Sequence, residues 1–367
     1  MSIHQNFLTA LLALSLALLP SIGAAKAIAA PAKSSSKKIT VLKTATTLSR
    51  KKTVTGVAKS RLSRVAYSKK TVILLTKRRT NLRVRQVAFV PSAPPRLSMA
   101  QLQGLHGMRD PLELQSSVAL VADQLTGEVL FSKNDHAVLP IASITKLMTA
   151  LVTLEARLPL TDSVLIGDED IDQEKNSRSR LRIGTQLSRA EALHLALMAS
   201  ENRAAHALSR HYPGGTIAFV RAMNTKAQSL GMQQTVFKDP TGLSSNNLSS
   251  AHDLATLMRA AYEQPNIRQW STSQELSVDV LGRVMTFSNT NRLTQNPDWD
   301  IGLQKTGFIA EAGKCLVMQA RIEGRAVLMV FLDSAGKYDR LADAQRVRAW
   351  LASGGLPLAP QVANKAT

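Results

Sequence analysis

Three short groups of residues follow one another along the chain: Ser143-Ile144-Thr145-Lys146, Ser200-Glu201-Asn202 and Lys305-Thr306-Gly307. Together they could assemble an acyl-transfer site. A serine hydroxyl is a weak nucleophile and needs a neighbouring base to take its proton. Lys146 lies three residues after Ser143, one helical turn on, so its amine can face the hydroxyl. An ammonium buried among other cations gives up its proton more readily, which suits Lys146 to the role of base. Ser200 and Asn202 can relay and orient, while Lys305 can anchor an anionic substrate.

Context and order give these groups their weight, because each pattern has decoys. S-x-x-K starts at Ser34, Ser35, Ser49, Ser143 and Ser334. The first three fall in a basic, serine-rich stretch, and Ser334-Ala335-Gly336-Lys337 reads as a turn after a strand-like run. Ser143 alone precedes a long apolar segment, Leu147 to Leu154, which reads as a buried helix. S-x-N recurs at Ser132, Ser244 and Ser245, either upstream of the nucleophile or in a polar loop, and Lys305-Thr306-Gly307 is the single K-T-G.

The elements that must position these residues lie in a chain of two electrostatic halves. Its 367 residues carry a formal net charge of +20. No Asp or Glu precedes Asp110, whereas 20 of the 46 Lys and Arg do, so the remaining 26 balance the 26 acidic residues. This reads as a neutral domain behind a cationic N-terminal arm. Phe7 to Leu19 is a mostly apolar run too short to span a bilayer, and Ala27-Ile28-Ala29 fits a cleavage signal. Residues 1–29 are therefore expected to be a signal peptide that directs export to the periplasm, although the start lacks Lys or Arg. Residues 30–96 read as a basic linker without fixed structure, with a local strand expected over Thr71–Leu75. Residues 31–96 suit electrostatic tethering to an anionic cell-wall or membrane surface, or a plain spacer. With only Tyr67 and Phe89 as stacking aromatics, nucleic acid is not expected as a partner. One cysteine, Cys315, excludes an intrachain disulfide and a cysteine-cluster metal site, and its apolar surroundings read as core.

The main domain is expected over residues 97–355, with a flexible tail at 356–367. Ser117–Asp123 and Glu128–Ser132 flank a Thr126-Gly127 turn and read as a hairpin. Helical patterns follow over Thr145–Arg157, Arg189–His211, Thr216–Leu230 and Ala251–Tyr262. Leu316–Ile322 and Ala326–Leu332 form a second hairpin pattern, and a last helix is expected over Asp339–Leu351. Strands at both ends enclosing helices predict an α+β fold with an antiparallel sheet drawn from both halves of the domain.

Longer segments carry a family resemblance. Pro140-Ile141-Ala142-Ser143-Ile144-Thr145-Lys146-Leu147-Met148-Thr149 resembles the nucleophile segment of low-molecular-weight penicillin-binding proteins, the serine D-alanyl-D-alanine peptidases. Met198 to Ala205, Asp239-Pro240-Thr241-Gly242-Leu243 and Asp300 to Phe308 resemble their endopeptidase branch. The similarity runs from about Ser117 to Leu351 and leaves out the basic arm. It implies a β-lactamase/transpeptidase-like fold, a sheet flanked by helices with a helical subdomain. Ser143, Lys146, Ser200 and Asn202 would then be catalytic, and Lys305, Thr306, Gly307 and Phe308 would bind substrate. The N–H groups of Ser143 and Phe308 would form the oxyanion hole. Substrates would be peptidoglycan stem peptides, with β-lactam antibiotics as acylating inhibitors, and neither cofactor nor metal is implied.

The same resemblance orders the alternatives. Carboxypeptidase relatives usually carry a second β-rich domain and an amphipathic membrane anchor, for which little room follows the last helix. The preferred expectation is thus a cross-link endopeptidase, not stably anchored, with a carboxypeptidase as the alternative. A class A-like β-lactamase is less favoured, because Glu201 stands where those enzymes have aspartate and Glu263-Gln264-Pro265-Asn266 follows a helix far along the chain. A non-catalytic cationic cell-wall binder would be expected to lose Ser143 or Lys146. No G-x-S-x-G or H-E-x-x-H occurs, His206 and His211 fall on a helix at a spacing that does not share one face, and His194 and His252 read as packing or capping residues.

Overall fold

The computed structural model describes residues 72–74, 85–87 and 96–355. The expected signal peptide, most of the basic arm and the tail at 356–367 lie outside the described residues. Within the arm, Val72–Leu74 pairs antiparallel with Arg85–Val87, so the expected local strand forms and finds a partner. This strand pair belongs to a unit distinct from the main domain.

Five strands form the main sheet: β1 (Ser116–Asp123), β2 (Val129–Lys133), β3 (Asp300–Ile309), β4 (Gly313–Ile322) and β5 (Arg325–Ser334). Their spatial order is β3-β4-β5-β1-β2, antiparallel throughout. The register of β5 on β1, with Val330 opposite Leu120, joins the two halves of the domain. β3 lies at the edge, so one side of its backbone has no strand partner.

Both sheet faces are covered, which explains why the central strands read as apolar runs rather than alternating ones. Val118 and Leu120 point into the larger core, among the helices, while Ala119 and Val121 point into a second core with Phe131, Phe331 and Val347. Besides one short helical turn at Met99–Leu102, the helices among the described residues are α1 (Lys146–Glu155), α2 (Arg189–Met198), α3 (Asn202–Arg210), α4 (Gly215–Ser229), α5 (Ala251–Tyr262), α6 (Pro265–Thr272) and α7 (Asp339–Ala352). Ser188 caps α2 through Glu191 and Ser250 caps α5 through Asp253, both local signals written in the sequence.

One expectation needs correction. The continuous helix over Arg189–His211 is two helices, α2 and α3, broken at Ala199-Ser200-Glu201. Ser200 takes φ of 59°, a left-handed conformation that a non-glycine residue holds at a cost of about 1–3 kcal/mol. Helical periodicity resumes after the break, so the pattern alone conceals it. Also unanticipated are α6, which starts on Pro265 at its first turn, and an exposed hairpin of Glu275–Asp279 with Val284–Ser288. Among the described residues, no helix is long and apolar enough to cross a membrane.

Candidate active site

The chain enters the site through a two-residue strand, Leu139–Pro140, paired with Leu248–Ser249. Ala142 then turns with φ of 47°, and a single tight turn, Ala142–Thr145, carries Ser143 to the start of α1. The Thr145 hydroxyl donates to Ala142 O at 2.8 Å and stiffens this elbow. A second loop braces it from outside. Asp239 accepts from the N–H groups of Thr241 at 2.6 Å, Gly242 at 2.8 Å and Ser244 at 2.9 Å, folding Pro240–Ser244 into a tight turn. Gly242 takes φ of +83°, and a Cβ there would stand 1.9 Å from Ala142 O. Only glycine lets the turn press against the elbow.

Lys146 is wholly buried, and its ammonium donates to three groups. They are Ser143 Oγ at 3.0 Å, Asn202 Oδ1 at 2.7 Å and Thr241 O at 2.6 Å. Among the described residues, no carboxylate touches it. Burial depresses its pKa to about 7, while the carboxylates of Asp239 and Glu201 partly hold it up. An amine with that proton affinity, in contact with a serine hydroxyl, can act as general base near neutral pH.

The helix break between α2 and α3 brings in the second group. Ser200 Oγ lies 2.9 Å from Lys305 Nζ, and Asn202 opens α3 with its Oδ1 on Lys146 and its Nδ2 donating to Ser177 Oγ at 2.9 Å. Edge strand β3 supplies the third group. Lys305 is fully buried and also donates to Thr306 O at 2.9 Å. Burial pushes its pKa well down, and the positive charges of Lys146 and Arg340 push it further. Thr306 Oγ1 meets Thr290 Oγ1 at 2.7 Å. A Cβ on Gly307 would stand 3.0 Å from Ile141 O and 3.2 Å from Ser143 N, so glycine is needed first for packing against the elbow. The same closeness sets the N–H of Ser143 beside the peptide that leads into Phe308, whose ring is 60% exposed. The structure thus brings Ser143, Lys146, Asn202, Ser200 and Lys305 together through hydrogen bonds, with Gly307 packed against the Ser143 turn and Thr306 and Phe308 beside it on β3.

Several neighbours escaped the sequence reading. Arg340, on α7, donates to Gly307 O at 2.9 Å and Cys315 O at 3.0 Å, placing a guanidinium behind the anchor strand. Nothing in the local pattern marks it, because its partners lie on strands 25 or more residues away. Ser177 and Ser179 sit in an irregular segment with no periodicity to read. Beside Asn202 and Thr241 opens a cavity of about 230 Å³, whose lining includes Asp172, Glu174, His206 and Lys238.

The histidines have other occupations. His206 pairs with Asp170 at 2.7 Å, His211 bonds Ala207 O at 2.8 Å, and His194 contacts Ser273 and stacks on Trp270. His252 pairs with Asp135 at 2.7 Å and stacks on His136. Those last three residues bring donor atoms within 4.8 Å of one another, and the ion pair already accounts for their closeness. Cys315 is buried, and desolvation raises its thiol to about 12, as suits a core residue. Glu263 ends α5 and Pro265 opens α6, so the E-x-x-N match spans a helix junction.

Comparison with known proteins agrees with this geometry. A protein family described as D-alanyl-D-alanine carboxypeptidase matches residues 106–336. The chain is 49% identical over 254 residues to a D-alanyl-D-alanine endopeptidase of Pseudomonas aeruginosa, covering 69% of this chain and 82% of the relative. It is 45% identical over 253 residues to the Escherichia coli endopeptidase of the same description, covering 68% and 82%. A Streptomyces DD-transpeptidase structure superposes with a TM-score of 0.60 at 26% identity, over 65% of this chain and 97% of that one. A Mycobacterium tuberculosis D-alanyl-D-alanine carboxypeptidase gives 0.60 at 26% identity, over 69% and 94%.

Proposed function

The chain belongs to the D-alanyl-D-alanine carboxypeptidase family of serine peptidases, and on that premise we propose how its cleft works and on what. It is a serine D-Ala-D-Ala peptidase, and its reaction is hydrolysis of D-alanyl cross-links in peptidoglycan, with β-lactams acylating the same serine. Ser143 attacks the carbonyl after a D-alanine while neutral Lys146 takes the hydroxyl proton. The N–H groups of Ser143 and Phe308 receive the oxyanion, and such donors each contribute about 10²–10³ in rate. Ser200 passes a proton to the departing amine, and water then hydrolyses the acyl-enzyme. Asn202 orients Lys146 and the substrate amide. Lys305, Thr306 and Gly307 hold a substrate carboxylate and its backbone along the edge of β3, where the incoming negative charge draws a proton onto Lys305.

One observation carries this reading above the others: the buried Lys146 amine lies 3.0 Å from Ser143 Oγ, with its pKa near 7 and no carboxylate in contact. Endopeptidase is preferred over carboxypeptidase because the two relatives at 49% and 45% identity carry that description, while a Bacillus subtilis carboxypeptidase is 31% identical. Digestion of purified cross-linked muropeptides, analysed by mass, separates the two. Monomers released from dimers are expected from wild type, and none from Ser143→Ala. Loss of a single alanine instead would assign a carboxypeptidase.

The apolar run Phe7–Leu19, followed by a cleavage signal, supports export to the periplasm. The basic arm is a tether to anionic cell wall or membrane. Deleting residues 31–95 is expected to leave penicillin labelling intact and to weaken retention on isolated cell wall at low salt. Unchanged retention would make the arm a spacer.

A further inference from the structure

Three consecutive residues at the start of α3 do more than form a motif. Each grips the same short segment, Ser177 to Leu181. Glu201 Oε2 accepts from Ser179 Oγ at 2.6 Å, Asn202 Nδ2 donates to Ser177 Oγ at 2.9 Å, and Arg203 donates to Leu181 O at 2.6 Å. The segment is anchored at both flanks. Asp172 accepts from the N–H groups of Lys175 at 2.9 Å and Ser177 at 2.7 Å, and Lys175 pairs with Glu311 at 2.7 Å. Arg180 donates to Thr286 O at 2.8 Å and lies 3.9 Å over the Phe287 ring.

This strap has almost no apolar core of its own beyond Leu181. Ser177, Ser179 and Leu181 turn towards the motif, while Arg178 and Arg182 are exposed. Polar contacts therefore set much of its position, and the bond from Ser179 to Glu201 is the one a motif carboxylate accepts from the strap. The Glu201 carboxylate is largely withdrawn from water and faces Lys146, Arg180 and Arg203. Glu201 directly precedes Asn202, whose Oδ1 lies 2.7 Å from Lys146 Nζ, so the two charged groups are brought close; Asp239 also faces Lys146, with Lys305 beside it as a like charge.

We propose that Glu201 is a positioning residue with two separable tasks: it pins the Ser177–Leu181 strap against the catalytic motif as a wall of the substrate cleft, and it supplies Lys146 with a nearby negative charge. The first task governs how an extended, cross-linked substrate is seated, with the exposed Arg178 and Arg182 available to its free carboxylates. The second governs the pH at which Ser143 becomes reactive. Burial raises the Glu201 pKa, while Ser179, Arg180, Lys146 and Arg203 favour its charged form. This inference rests on the acyl-enzyme reading above.

Three variants separate the tasks, because glutamine keeps an oxygen that accepts from Ser179 but carries no charge. Acylation by a fluorescent penicillin is followed against pH, and KM is measured with a cross-linked muropeptide dimer. Ser179→Ala is expected to raise KM by about 3–10-fold, from loss of one charge-assisted bond, with the acid limb of acylation unmoved. Glu201→Gln is expected to keep KM close to wild type and to move the acid limb to lower pH by about one unit, since a lost negative charge eases deprotonation of Lys146. Glu201→Ala should do both. A wild-type acid limb in Glu201→Gln, or a wild-type KM in Ser179→Ala, would overturn the proposal. If wild type itself takes up no penicillin, the acyl-enzyme reading fails instead, which is a different result.

Discussion

Lys133 and Lys146 are both withdrawn from water within one domain, yet their partners differ. Lys133 Nζ meets Asp110 Oδ2 at 2.9 Å and Leu114 O at 3.0 Å, so its charge is matched by direct contact. Lys146 meets a hydroxyl, an amide oxygen and a peptide carbonyl, all neutral acceptors. Lys305 follows Lys146, with a hydroxyl and a carbonyl. A buried cation with a carboxylate in contact ties strand β2 to the segment before β1. A buried cation with neutral partners is poised to lose a proton. The difference between strut and base lies in one missing carboxylate, not in burial.

Substitution by methionine tests this contrast most directly. Lys146→Met removes the base and is expected to slow penicillin acylation by about 10²–10⁴-fold, measured by single-turnover labelling. A variant acylating at the wild-type rate would remove Lys146 from the mechanism. Lys133→Met leaves the Asp110 carboxylate buried without its counter-charge, and the expected cost is about 3–5 kcal/mol in urea unfolding. A small cost there would end the distinction between the two lysines.

A smaller effect probes the elbow that presents Ser143 to its base. Gly242→Ala forces a Cβ towards Ala142 O, and a displacement of about 1 Å in the nucleophile costs on the order of 10² in rate. Stability should fall far less than activity, which a thermal melt beside the labelling assay would check.

The smallest expected effect concerns pH. Folded Lys146 has its pKa near 7 against 10.5 ordinarily, so between these values the unfolded chain binds the extra proton. This group therefore makes folding more favourable as pH rises from about 7 towards 10, by up to about 1.4 kcal/mol per unit. Comparing wild type with Lys146→Met cancels the other titrating groups. The stability difference should shift in favour of wild type by about 2 kcal/mol between pH 7 and 9. A difference that stays flat would mean that Lys146 keeps its proton in the folded state. The acylation rate should likewise rise through pH 7 as the amine becomes free.

Much of the fold was legible because its signals are local. The Thr126-Gly127 turn and the apolar run behind Ser143 each sit within a few residues of what they control. α5 begins and ends where its periodicity does. Less legible were features whose cause is distant. The break at Ser200 interrupts an uninterrupted helical pattern, and the hairpin after α6 is too exposed to show a strong apolar alternation. Arg340 and the strap serines carry no motif, since their partners are backbone carbonyls and side chains remote in sequence.

Residue types and order determined the chemistry available to this protein: a serine with a lysine one turn on, a second serine with an amide, and a lysine on a strand. Those identities define acyl transfer because few other side chains combine a nucleophile, a base and an anion anchor. Only the tertiary structure decided that Lys146 would be a base and Lys133 a strut. Proton affinity depends on burial and on which charges come within contact, and both are properties of distance across the fold rather than along the chain.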